Sequence, residues 1–227
     1  MKAKFILLLI LFALTGSCKK ITHVTLIEPA KPGKLSYQIV DDEGKGVSGV
    51  KVHLYDAMSK AKTIPANSLA QSRTNQEGVA GFTDLLPGNY QVVSDSAVVN
   101  GLMYALSEYI QILSDVEKRK TVKASDFSGT LTVKLLAQNR ETPLANMGLL
   151  AFEAEKRPSA DKIKSFIASA LLKGVTDKNG MASIKVPSNR LYSIIVYSLT
   201  TGNGVIKSGN YLVEKGEETY APVYHEQ

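Results

Sequence analysis

The 227-residue chain contains no tryptophan, one cysteine and three histidines. With Cys18 alone it has no pair for an intramolecular disulfide, so it is not a disulfide-stapled secreted scaffold. His23, His53 and His225 are far apart and show neither zinc-ligand spacing nor the makings of a Ser-His-Asp arrangement. Without tryptophan the usual stacking residue of a sugar-binding platform is missing, leaving tyrosines to substitute. Positive charge is also in short supply as a pattern. The lysines are scattered, with no dense basic stripe interleaved with aromatics, which excludes nucleic acid as the expected partner. What remains is ordinary: 44% hydrophobic and 21% charged residues describe a folded body and argue against disorder, collagen-like sequence or a multi-span membrane protein.

The amino terminus departs from this average. Lys2 and Lys4 precede an apolar run from Phe5 to Leu14 that is too short to span a bilayer comfortably as a stable helix. It reads as a secretory signal peptide over residues 1–17. The stretch Leu14-Thr15-Gly16-Ser17 before Cys18 resembles the bacterial lipoprotein cleavage box, with Leu one position further from the Cys than is commonest. That resemblance implies cleavage before Cys18 and acylation of its thiol, and it accounts for the lone cysteine. The expectation is an exported lipoprotein held to a membrane, the outer membrane, with the leaflet and facing left open. Cleavage removes two lysines and leaves 25 basic against 21 acidic residues, a net charge of about +4. Residues 18–33, with Pro29, Pro32 and Gly33, read as a tether that extends about 50 Å at most.

From Lys34 the period is two. Leu35, Tyr37 and Ile39 share one face, "DDEGKG" turns, and Val50, Val52 and Leu54 share the next. Leu131, Val133 and Leu135 repeat the first face, and Met147 and Phe152 align with Val50 and Tyr55 at an offset of 97. After an insertion the offset becomes 102, matching Gly78 with Gly180, Phe82 with Ile184, Tyr90 with Tyr192, Val92 with Ile194 and Tyr109 with Tyr211. A whole domain of about 95 residues is therefore duplicated, over 34–125 and 130–227, joined by the short polar stretch "SDFSG". Gly78 and Gly180 close hairpin turns that need positive φ. Tyr90 and Tyr192 open the following strand as a tyrosine corner does. Short strands with frequent turns predict an all-β fold: two tandem β-sandwiches of about seven strands each.

The pattern "GVSGVKVHLYD" followed by "TNQEGVAGFTDLLPGNYQVV" resembles the carboxypeptidase regulatory-like and Cna-B-like domains, which share a transthyretin-like (prealbumin-like) sandwich. The likeness covers nearly all of the first copy and, more weakly, the second, where "PSNRLY" stands for "LPGNY". It implies stalks, adhesive surface proteins and accessory modules. Cna-B-like domains often carry a Lys–Asn isopeptide cross-link promoted by an acid shortly after a late-strand tyrosine. No acid follows Tyr90 or Tyr192 closely, so no cross-link is expected. The ending "APVYHEQ" lacks the Tyr-Arg-Gly-Ser type of terminus of transthyretin-like hydroxyisourate hydrolases, and that enzyme reading fails.

Other motifs reduce to turns. Gly44-Lys45-Gly46-Val47-Ser48-Gly49 has dinucleotide-type glycine spacing, but a β-type run follows it where that site requires a helix. Asp41-Asp42-Glu43 lacks the spaced oxygen ligands of a calcium loop. No cofactor, metal or catalytic residue is expected. The two copies differ most between the second strand and the Thr-to-Gly hairpin. There the second copy places Ile163, Phe166, Ile167, Ala170 and Leu171 at helical spacing after a possible Ser159 cap. Two readings stand: this helix covers an open edge of its own sandwich, or Ile163, Phe166 and Ile167 bind a partner.

The chain is thus expected to be a non-enzymatic, membrane-anchored lipoprotein serving as a binding or scaffold module of the cell envelope, its partners the membrane through the lipid and another envelope protein or a glycan. A fimbrial or pilus-related subunit is the second reading and an accessory carbohydrate-binding lipoprotein the third.

Overall fold

The structure, a computed structural model, describes residues 30–57 and 68–225. The predicted signal peptide, Cys18 and most of the tether lie outside the described residues. The described residues from Lys31 onward form one compact unit.

The protein is an all-β sandwich protein. In the first half β1 (Gly33–Val40), β4 (Val79–Leu85) and β7 (Glu117–Lys123) form one sheet in the order β4-β1-β7. A second sheet orders β2 (Lys51–Asp56), β3 (Ala70–Arg73), β5 (Gly88–Val99) and β6 (Leu102–Ile112) as β3-β2-β5-β6. The second half repeats this plan. Its strands β8 (Ser128–Ala137), β11 (Met181–Pro187) and β14 (Glu218–His225) run β11-β8-β14. Facing them are β9 (Met147–Glu153), β10 (Lys173–Val175), β12 (Arg190–Ser198) and β13 (Gly204–Val213), in the order β10-β9-β12-β13. In both halves the first and last strands pair in parallel, β1 with β7 and β8 with β14, while the other ladders are antiparallel.

Alternation explains the layers. Leu35, Tyr37 and Ile39 are buried beside Val52, Leu54, Phe82, Val92 and Leu106 in one apolar cluster. Leu131, Val133, Leu135, Leu149, Ile194 and Val196 belong to the second. Each cluster draws on both sheets of its half, so burial of the inner faces holds each pair of sheets together.

Repeated positions carry repeated devices. Gly78 and Gly180 sit at φ of +77° and +70°, where a Cβ would press onto the Ile39 and Leu135 carbonyls. Only glycine meets both demands. The hydroxyls of Thr74 and Thr176 each staple a turn: Thr176 Oγ1 accepts from the Met147 N–H and donates to the Leu144 carbonyl, as Thr74 does with Val50 and Val47. Thr176→Val keeps the shape but strands two backbone groups at a position 2% exposed. It is expected to cost about 1–3 kcal/mol, read from the denaturation midpoint. A third device escapes the sequence pattern. Ser36 donates to Glu117, and Thr132 to Glu218, so each parallel pair is clasped across its outer face.

The first sandwich also carries a side-chain bond through its core. Tyr37 on β1 donates to Glu108 on β6 across the first core (2.7 Å), and Lys120 on β7 lies 3.7 Å from the other carboxylate oxygen. This is a non-covalent tie between the two sheets. Burial, then the adjacent Glu108 charge, pushes the Tyr37 phenol far above its ordinary range. The folded state therefore keeps a proton that the unfolded chain releases above about pH 10. The stabilisation is full below that pH and is lost as pH rises. The melting temperature is expected to fall steeply above about pH 10, and the fall should be shallower in Tyr37→Phe.

Candidate functional site

The insertion that separates the copies folds as a short α-helix, α1 (Ile163–Ser169), between β9 and β10. Its cause lies in the sheet beneath. All five central residues of β9, Gly148 to Phe152, are buried, so this strand carries apolar side chains on both faces instead of alternating. Leu150, Phe152 and Ile195 would stand bare on the outer face, and α1 covers them. Ile167 is buried against them, with Ile163 and Phe166 half-buried alongside. The Phe152 and Phe166 rings meet edge to face at 5.8 Å. The helix thus covers a sheet face, not the edge expected from its sequence. Ser159 makes no side-chain cap bond. Ile163, Phe166 and Ile167 point inward, the exposed side of the helix carries Lys164, Ser165, Ala168 and Ser169, and Leu171, expected on the apolar face, lies beyond the helix end and is exposed.

Beside this face an open depression is lined by Glu153, Glu155, Asn189, Arg190, Leu191 and Leu212. Its floor is an ion pair, Arg190 Nη1 to Glu153 Oε2 at 3.0 Å, with Lys156 at 3.0 Å from the other carboxylate oxygen. Both charges of the pair are answered. The arrangement holds the end of β9 to the start of β12.

The remaining motifs settle as backbone chemistry. Gly44 and Gly49 take positive φ, and Gly46 packs on the Glu77 backbone, so the glycine-spaced stretch is a turn leading into β2. Asp41 accepts the Glu43 and Lys45 amides within that turn. Asp42 instead accepts from Ser125 at the boundary between the halves. Among the described residues no group of three or more His, Cys, Asp or Glu could hold a metal ion. His53, expected to face solvent, is half-buried and stacks on Tyr55 with centroids 6.2 Å apart, because both project from the same side of β2.

The junction is the feature that the sequence reading missed. "SDFSG" was expected as a short polar connection, yet Ala124, Ser125, Phe127 and Ser128 are all buried. Ala124–Asp126 make one tight helical turn. Phe127 then inserts into the first core at 1% exposure. Its carbonyl accepts both the amide and the hydroxyl of Ser188 from the second half (2.9 Å each), and Lys215 Nζ lies 3.6 Å over its ring. In the second half, Tyr192 is fully buried and donates to the Pro187 carbonyl at 2.7 Å, the counterpart of Tyr90 to Leu86. One residue therefore belongs to one core by its ring and to the other half by its carbonyl. The signal available in sequence was a single aromatic amid polar neighbours.

Fold and junction define an all-β sandwich protein whose two halves meet through a buried seam. Neither a family model nor a curated protein matches the sequence. Among solved structures, the Bacillus anthracis TIE protein is 18% identical with a TM-score of 0.37, over 86% of this chain and 34% of that one. GBS52, the minor pilin of Streptococcus agalactiae, is 15% identical with a TM-score of 0.35, over 87% of this chain and 96% of that one. A streptococcal ancillary pilin is 14% identical with a TM-score of 0.36, over 85% of this chain and 62% of its own. The chain thus spans about a third of the length of the TIE protein. No helix among the described residues is long and apolar enough to cross a membrane.

Proposed function

We propose that this chain is a non-enzymatic structural module of the bacterial cell envelope, exported, acylated at Cys18, and used as a stiff two-sandwich subunit of a surface stalk or pilus-type assembly. The observation that carries the reading is the buried junction. A receptor with independent binding modules is served by a flexible connection, whereas a spacer needs its modules fixed to one another. Three further features support it. The apolar residues of α1 are occupied by their own sheet. The depression at Glu153 and Arg190 has its floor taken up by an ion pair that ties two strands of the same sheet. And β6 and β13, eleven and ten residues long, form outer edges of their four-stranded sheets, the kind of surface on which a further strand or subunit pairs.

Antibody labelling of intact cells, followed by shearing and sedimentation, tests this reading. The chain should be accessible on intact cells and should leave them in high-mass assemblies. A chain that is protected in intact cells and recovered as a monomer would contradict it. Cys18→Ser should move the folded body from the membrane fraction to the soluble one.

A further inference from the structure

The end of the first sandwich at which the tether arrives gathers exposed apolar and basic side chains on neighbouring loops. Three loops meet there. Gly33 pairs with Leu85 at the close of β4, and the Lys34 amide donates to the Val116 carbonyl (3.0 Å) in the β6–β7 loop. Ser114 donates to the Lys31 carbonyl (3.1 Å). On these loops Leu86, Leu113 and Val116 stand 69%, 54% and 46% exposed. Around them are Lys31, Lys34, Lys118 and Arg119, with Asp84, Asp115 and Glu117. Lys31 answers Asp115 at 3.5 Å and Arg119 answers Glu117 at 3.0 Å. Asp84 accepts the Thr83 hydroxyl, and Lys34 and Lys118 remain exposed.

We propose that this end of the first sandwich rests on the membrane interface, with Leu86, Leu113 and Val116 entering the headgroup region and Lys34 and Lys118 meeting anionic lipid phosphates. The inference rests on the lipid-anchor reading. Lys31 follows Cys18 by thirteen positions, which an extended chain covers in about 45 Å at most. Three apolar side chains alone bind a bilayer weakly, but a short tether raises their local concentration to the order of millimolar, so weak contact suffices. Basic residues beside them add attraction to an anionic leaflet. Contact would hold the sandwich against the surface in one orientation, making the anchor a foot as well as a leash.

The absence of tryptophan supplies the test. In the chain from Cys18 onward, Leu113→Trp or Leu86→Trp creates a sole indole at this end, and Glu43→Trp creates one at the exposed loop beyond the opposite end of β1. Each variant is coupled through Cys18 to a maleimide lipid in phosphatidylethanolamine–phosphatidylglycerol vesicles with brominated acyl chains. We expect a blue shift and several-fold stronger bromolipid quenching at 113 and 86 than at 43, reduced when Val116→Ser, Lys34→Gln and Lys118→Gln are added. Equal quenching at both ends, or none at 113 and 86, overturns the proposal. So does a blue shift at 113 without vesicles accompanied by dimeric sedimentation, which would assign the patch to a second copy. Chemical coupling makes the result independent of cellular acylation. That reading is tested separately by the mass of the N-terminal peptide from cells.

Discussion

Phe127→Ala is expected to destabilise the protein by about 3–5 kcal/mol, the range for deleting a large aromatic from a packed core. Few single substitutions here should cost more. The ring is 1% exposed within the first apolar cluster, so its removal leaves a cavity that rigid sheets on either side cannot close. The loss should also appear in the other half, because the Phe127 carbonyl holds the Ser188 amide and hydroxyl. Chemical denaturation read by hydrogen exchange should show protection falling in both sandwiches. A fall confined to the first would mean that the seam transmits nothing. The same residue fixes where the chain can be cut. A fragment ending at residue 126 lacks part of its own core, so 30–126 should be markedly less stable than 30–128.

The second large effect is expected at α1. Ile167→Asp places a carboxylate against Leu150, Phe152 and Ile195, where no cation in the cluster can answer it. Burying an unpaired charge is avoided by expelling it, so the helix should lift from the sheet at a cost of about 3 kcal/mol or more. The exposed apolar face should then bind a hydrophobic dye and promote association. Ile167→Val, which keeps the shape, should cost about 1 kcal/mol and leave the dye signal unchanged. If Ile167→Asp melts like the wild type, the helix does not cover this face and the partner-binding reading of Ile163, Phe166 and Ile167 regains its ground.

The strand plan was legible because it depends on local signals. Period two in "KLSYQIV", the turn glycines at 78 and 180 and the tyrosines at 90 and 192 each report their own few residues, and duplication states them twice. The ties between sheets were not legible. Tyr37 and Glu108 are 71 positions apart, and nothing near either one specifies the other. The helix was readable as a helix but not as the cover of a face. The clue lay in β9, where "LLAF" breaks the alternation, since a strand apolar on both sides requires a layer on each. Phe127 is not legible as a core residue, because it stands alone in a polar pentapeptide whose composition reads as a connection. Cys18, the lipid and the membrane belong to a part of the chain outside the described residues, and they rest on sequence chemistry alone.

The two sandwiches should act as one stiff body. Spin labels on exposed strand positions, Lys51→Cys in the first half and Lys185→Cys in the second, in a Cys18→Ser background, would report the distance between halves by pulsed electron resonance. One narrow distance distribution is expected, broadening in Phe127→Ala. A broad distribution in the parent chain, unchanged by that substitution, would contradict it and return the protein to two beads on a flexible string.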